Sequence, residues 1–513
     1  MTYSNCMTTS DLFLRSCRRH PRKTALIDGE HRYAYSELND QCNRLADGLS
    51  ERNIRKGDRV ALLAKNCKEF VISYFALPKI GAVLVPLNHR CVAKELEYML
   101  SDCEAKALIF EAEYSETAKP LRDLLPGLAF VSIGKQVGAI GEDFDGLVSS
   151  GKSTEPGIES AEEDECSILY TSGTTGKPKG AVITHRTRVW CTVNMLLDGS
   201  VETDGISLPG GPLFHTGTTN IALLPHVAAG GTIVLVPQLD PVRIAEAIQR
   251  EKVTHLVTVP TILHTMLVAG VFDQYNFTSL RNVYYGASTI PLKDLEKILS
   301  LFPGVRFYQG YGQTESTQLT VLKPEDQLRK FGCTGKAHLL VDLRVVDESD
   351  EDVSPGETGE VITRGPHVMK GYLNLPEANQ ESFKNGWFHT GDIARIDAEE
   401  FITIVGRKKD MIISGGENIY PREIELVLNG HPKIREATVF GIPDEKWGES
   451  VCAAVILKPD ETLTEEEIVR YCKENLASYK KPKKVIFCQS FPRNATGKVI
   501  KEKMKDMALS KKG

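Results

Sequence analysis

Apolar and polar positions follow two different rhythms along this chain. From Ser36 to Asn53, SELNDQCNRLADGLSERN places Leu38, Cys42, Leu45 and Leu49 three or four residues apart, the period of an amphipathic helix, behind a serine cap. DRVALLA follows as a short unbroken apolar run, the pattern of a buried strand. KEFVISYFALPKIG then reads as a helix, AVLVPL as a strand, AKELEYMLSDC as a helix and AKALIFE as a strand. Helix alternating with strand predicts an α/β fold built on parallel sheets.

The rhythm breaks between Val137 and Glu165, which are rich in glycine, serine and acidic residues, so a surface connection without core is expected there. Apolar strands resume in GTIVLVP, VTHLVTVP and RNVYYGA, interleaved with helices such as PVRIAEAIQREK, and continue to about Pro324. From Gly332 to Val405 short alternating runs are split by Pro, Gly and Asp turns, which predicts a small antiparallel β region. Beyond GRKKD the order is α, β, β, α, β, a length and pattern that suit a separate α+β domain. The expected organisation is therefore a large domain over residues 1–408 and a small mobile one over 409–513.

Composition narrows the function. The 513 residues, 41% hydrophobic and 25% charged with a net charge of -6, are those of a soluble globular enzyme, without the basic excess that nucleic acid requires. The twelve cysteines are scattered, with no C-x-x-C pair or metal-ligand cluster, and read as reduced thiols in a cytoplasmic protein. No signal-like N-terminus and no membrane-spanning apolar run is expected. Peripheral membrane association and oligomeric state, a homodimer included, stay open.

One stretch stands apart. YTSGTTGKPKG, Tyr170 to Gly180, is too flexible and polar for a buried strand or helix. Its backbone amides and hydroxyls can wrap an anion while Lys177 or Lys179 supplies a mobile charge. It is not the G-x-x-x-x-G-K-[ST] phosphate loop, because Pro178 stands where the magnesium-binding hydroxyl belongs.

YTSGTTGKPKG resembles the phosphate loop of the adenylate-forming superfamily, which comprises acyl- and aryl-CoA synthetases, peptide-synthetase adenylation domains and beetle luciferases. PLFHTG (212–217), YYGAS (284–288), YGQTE (311–315), WFHTGD (387–392), GRKKDMIISGGENIYP (406–421) and PRNATGKVIK (492–501) follow in the superfamily's order, so the resemblance spans nearly the whole chain. It implies ATP, Mg2+ and CoA as reactants, with a small-molecule carboxylic acid as the substrate.

Residue by residue, the resemblance implies that Thr171, Ser172, Gly173, Thr174, Thr175, Gly176 and Lys177 hold phosphates. Gly286, Ala287, Ser288, Tyr311, Gly312 and Gln313 face the nucleotide, with Tyr311 against adenine. Thr314 meets the α-phosphate, and Glu315 the Mg2+, a hard cation that suits a carboxylate. Asp392 and Arg407 take the ribose. Lys498 neutralises charge that grows on the α-phosphate and carboxylate oxygens, the preorganised stabilisation that gives enzymes their largest gains. His215, with Gly217, Thr218, Asn220 and Gly312, lines the acid pocket or gates its approach. Ser414, Gly415, Gly416 and Glu417 border the CoA channel, and Lys409 is the hinge.

The chain departs from the common pattern at GAS (286–288), where many relatives carry alanine-proline, and after Arg407, where Lys408 follows and the hinge is lysine rather than the commoner aspartate. The expected activity is two-step thioester formation through an acyl-adenylate. Medium-chain aliphatic or ring-bearing acids are favoured by the small residues of the pocket. A stand-alone adenylation enzyme loading a carrier protein, a luciferase-like oxygenase and a non-catalytic nucleotide-binding regulator are the alternatives.

Overall fold

The computed structural model describes residues 7–134, 140–171, 177–288, 290–415, 417–494 and 497–510. The chain forms two compact units, one of residues 1–343 and 363–388, the other of 344–362 and 389–513.

Two large sheets form the first unit, each parallel at its centre and antiparallel at an edge. One runs in the order Gly371–Tyr372, Lys179–Thr184, Glu165–Thr171, Val83–Pro86, Arg59–Leu63, Ala107–Glu111, Ala129–Ile133, Glu142–Asp143. The other has nine strands, with Arg306–Gln313, Asn282–Gly286, His255–Thr258, Ile206–Pro209, Thr232–Leu235 and Thr24–Asp28 as its parallel succession. The central strands are covered on both faces, which is why they read as continuous apolar runs; Val83–Pro86 and His255–Thr258 are buried throughout.

Helices Thr9–Arg19, Tyr35–Glu51 and Lys68–Lys79 belong to a core that takes Val60, Leu62 and Ile109 from one sheet and Leu26, Ile233 and Leu235 from the other. Lys68–Lys79 is buried at every position from Phe70 onward, so its sequence is apolar all round rather than striped.

Two local expectations need correction. The segment 137–165 does contribute core: Asp143 caps helix Phe144–Ser150 by accepting the Gly146 N–H at 2.9 Å, and Phe144 and Leu147, each 1% exposed, pack into the same core. Two apolar residues one helical turn apart are enough to seat a short helix, and the polar composition around them hid the signal. The helix expected from Ser36 begins at Tyr35, and the carboxylate of Glu37 closes its first turn by accepting the Ala34 N–H at 2.8 Å. No serine side chain caps it.

The antiparallel region is present as strands Asp342–Val346, Thr358–Arg364, Trp387–Ile396 and Ile402–Arg407. Strands Ile434–Asp444 and Gly448–Leu457 pair along their full length in the second unit. They carry helices Pro421–Asn429 and Glu465–Asn475 and a core from Ile412 to Val485. Among the described residues, Cys17, Cys42, Cys103, Cys166, Cys191, Cys452 and Cys472 are buried free thiols, and no helix is long and apolar enough to cross a membrane.

Candidate active site

The glycine-rich loop joins two antiparallel strands at the edge of the first sheet, with Thr171 opposite Lys179 in register. Ser172, Gly173, Thr174, Thr175 and Gly176 lie outside the described residues, as does Gly416. The strands bring both loop lysines onto aromatic rings: Lys177 Nζ sits 5.4 Å from the Tyr98 ring centre and Lys179 Nζ 4.9 Å from that of Tyr372.

YGQTE ends strand Arg306–Gln313, and Thr314, Glu315 and Ser316 turn the chain into strand Thr317–Leu322. A bulge between Tyr311 and Gly312 breaks the register there. A Cβ on Gly312 would lie 1.8 Å from the Thr317 carbonyl oxygen, so the hairpin closes only around glycine. Thr317 holds φ at 55° and Ala287 at 68°, left-handed values that cost a non-glycine residue about 1 kcal/mol or more and that concentrate at functional sites.

Glu315 is 8% exposed. Its Oε1 accepts the Tyr372 hydroxyl at 2.9 Å and its carbonyl accepts the Met369 N–H at 2.7 Å. The phenol orients this carboxylate without neutralising it, and the oxygen donor that remains fits a hard cation such as Mg2+.

Three glycines cluster on the neighbouring strand ends, packed too closely to admit a Cβ. Gly286 is in register with Gly310, and Gly312 follows on the same face of its strand. Deeper along that face Tyr284 stacks on Tyr308, with ring centres 6.3 Å apart. A Cβ on Gly310 would lie 2.3 Å from the Tyr284 hydroxyl, which donates to Gln318 Oε1 at 3.4 Å. Burial pushes the Tyr284 phenol far up, so it stays a donor.

His215 is exposed and precedes a helical segment whose Thr219–Leu223 turn is a π-helix. Thr218 and Asn220 are buried there, and Asn220 Nδ2 donates to Thr216 Oγ1 at 2.8 Å. Asn66, which no motif contains, fixes this segment from the other sheet: its Nδ2 donates to the Gly211 carbonyl at 2.9 Å and its Oδ1 accepts the Leu213 N–H at 2.8 Å.

In the second unit, Asp392 and Arg407 are register partners on paired strands, and Arg407 Nε meets Asp392 Oδ1 at 2.7 Å. Asp392 is 4% exposed while the guanidinium is open to solvent. Lys409 is exposed in the turn Lys408–Asp410, which buries none of its residues. Ser414 and Glu417 face each other across a tight hairpin. Between them Gly415, at φ 63°, donates its N–H to the Trp447 carbonyl at 2.9 Å, and a Cβ there would strike the Trp447 ring at 2.5 Å. The Nζ atoms of Lys446 and Lys483 lie 4.8 and 4.5 Å from the Trp447 ring centre. Lys498 is exposed, and its N–H donates to Asn494 Oδ1 at 3.0 Å in a hairpin closed by Arg493 and Val499.

Comparison with known proteins gives the lineage. The family described as AMP-binding enzyme matches residues 13–373, and the AMP-binding enzyme C-terminal domain matches 423–498. This chain belongs to the AMP-binding enzymes. Among its relatives in that family, a feruloyl-CoA synthase of Amycolatopsis sp is 36% identical over 95% of this chain and 96% of its own length. A long-chain-fatty-acid–CoA ligase of Mycobacterium tuberculosis is 37% identical over 95% of each. Among solved AMP-binding enzymes, an anthranilate CoA ligase in complex with anthranoyl-AMP superposes with a TM-score of 0.90 at 28% identity, covering 99% of this chain and 98% of that one.

Three side chains at these sites, Tyr372, Asn66 and Trp447, belong to none of the seven motifs. Each acts on a motif residue from a distant part of the chain, and spacing in one sequence carries no signal for such contacts.

Proposed function

We propose that the chain is an acid–CoA ligase that converts a carboxylic acid and ATP to acyl-adenylate and pyrophosphate, then passes the acyl group to CoA with release of AMP. The observation that carries this reading is the Lys179, Tyr372, Glu315 contact chain. It brings the end of the phosphate loop beside the buried carboxylate expected to hold Mg2+.

In the first step the acid's carboxylate oxygen attacks the α-phosphorus and pyrophosphate leaves. Lys177 and Lys179 hold phosphate oxygens, Thr314 donates to the α-phosphate, and Asp392 accepts the ribose hydroxyls while Arg407 holds its carboxylate in place. Lys498 places its ammonium where negative charge grows. Bound at Glu315, Mg2+ supplies charge neutralisation to the phosphates. In the second step the CoA sulfur attacks the acyl carbonyl carbon and AMP leaves.

Residues 1–408 and 409–513 act as the two functional domains, pivoting at Lys409. The turn Lys408–Asp410, which buries none of its residues, supports that division. Ser414, Gly415 and Glu417 line the CoA channel, with Trp447 as its wall.

The acid lies over Gly286 and Gly312, flanked by Gly217, Thr218 and Asn220, with His215 at the approach. Tyr284 and Tyr308 fill the face below the glycines, which supports a short, ring-bearing acid over a long chain. The test is CoA- and ATP-dependent AMP release across arylpropenoic, benzoic, medium-chain and long-chain acids, with the thioester confirmed by mass. Ring-bearing acids are expected to be the best substrates, and Lys498→Ala to lose about a hundredfold or more in adenylate formation. Adenylate that CoA never accepts would favour a carrier-protein acceptor.

A further inference from the structure

A carboxylate that no motif contributes sits between the two ends of the Asp392 hairpin. Glu360, on strand Thr358–Arg364, is 8% exposed. Its Oε1 accepts the N–H of Gly391, the residue before Asp392, at 3.0 Å. Its Oε2 accepts from Nζ of Lys408, the residue after Arg407, at 2.9 Å. His389 Nδ1 lies 3.3 Å from the same Oε2, and its Nε2 lies 3.8 Å from Asp350. Burial pushes the Glu360 carboxyl up, but Lys408 and His389 outweigh it and hold the group below the usual carboxylate range.

The position of Lys408 gives these contacts a use. A pivot works when the chain before it is fixed and the chain after it is free to swing. The turn Lys408–Asp410 buries none of its residues, so packing does not fix it. The Lys408 ammonium, clamped on a buried carboxylate of a neighbouring strand, does.

We propose that Glu360 is a positioning residue that anchors the near side of the pivot through Lys408 while its other oxygen holds the strand that carries Asp392. This rests on the ligase reading and on Lys409 as its hinge. With the anchor in place, backbone rotation starts at Lys409; without it, rotation spreads over the turn and the second orientation, the one that admits CoA, is reached less often. Glu360 is thus required by the thioester step more than by the adenylation step.

The experiment separates the two steps in the full-length protein. Pyrophosphate release with ATP and acid reports adenylation, and single-turnover chase of the enzyme-bound adenylate with CoA, read by thioester mass, reports transfer. Glu360→Gln keeps an acceptor for the Gly391 N–H and loses the charge that holds Lys408. Lys408→Met, at an exposed side chain, leaves the fold intact. Each is expected to slow transfer about tenfold, with the KM for ATP within about twofold of wild type and the double variant no slower than the worse single.

Equal slowing of both steps, or single effects that multiply in the double variant, would overturn the anchor. An active wild type with variants indistinguishable in transfer overturns the anchor alone. A wild type that forms no adenylate with any acid overturns the ligase reading and the anchor with it.

Discussion

The hydroxyl of Tyr372 donates to the carboxylate of Glu315 at 2.9 Å although 57 residues separate them in the chain. The face of the same phenol carries the Lys179 ammonium, so one aromatic side chain touches both the loop expected to hold phosphate and the carboxylate expected to hold Mg2+. Tyr372→Phe keeps the ring under Lys179 and removes only the hydrogen bond. It is expected to raise the Mg2+ concentration needed for half-maximal pyrophosphate release about tenfold, as loss of a partner that orients a metal ligand commonly does. Wild-type Mg2+ dependence in this variant would remove Tyr372 from the site.

Arg407 pairs with Asp392 through Nε at 2.7 Å, and the carboxylate is buried where the guanidinium is not. Asp392→Asn and Arg407→Met are both expected to raise the KM for ATP about tenfold or more, because a hydrogen bond to a charged group is lost in each. Steady-state titration of ATP at saturating acid and CoA measures this. An unchanged KM in both would place the ribose elsewhere.

Tyr284 stands against the glycine cluster, its hydroxyl packed where a Cβ of Gly310 would stand. Tyr284→Ala is expected to raise the ratio of kcat/KM for a long-chain acid over a short ring-bearing one by about tenfold or more, since pocket length discriminates roughly that strongly per methylene. Competition between two labelled acids gives the ratio directly.

Gly312→Ala is expected to distort the hairpin that carries Glu315, because the new methyl would fall 1.8 Å from the Thr317 carbonyl oxygen. A loss of about 1–3 kcal/mol in stability is expected together with loss of adenylate formation. Denaturant unfolding beside an activity assay reads both.

Much of this was legible beforehand. Val83–Pro86 and Asn282–Gly286 announced themselves because strands covered on both faces are continuously apolar. The YGQTE turn was legible only through its place among the superfamily's ordered motifs, since alone it reads as an ordinary turn. Phe144 and Leu147 were hidden because two apolar residues among glycine, serine and acids make no periodic signal. The Glu37 cap was hidden because Ser36 offered a plausible rival one residue away. Tyr372, Asn66 and Glu360 were hidden for a different reason: each acts across the fold on a residue whose sequence neighbourhood says nothing about it.

Acid should weaken the fold at a milder pH than carboxylate titration would suggest. Burial holds His185 and His367 down to about 4 and His226 down to about 3. Between the free histidine value of about 6.5 and those values the unfolded chain binds protons that the folded chain refuses, so stability falls as pH drops through that window. Denaturant midpoints at pH 7.5 and 5.5 are expected to differ, with the lower midpoint at pH 5.5. His226→Gln is expected to narrow the gap.

The helices that fill the space beside both large sheets tie their fates together. Phe70, Phe75 and Leu77 lie in a core that draws side chains from each sheet, so neither sheet owns a complete apolar interior. Pulling one away exposes the lining of the other. Hydrogen exchange in the central strands of both should therefore proceed at one common rate, as a single cooperative opening rather than two.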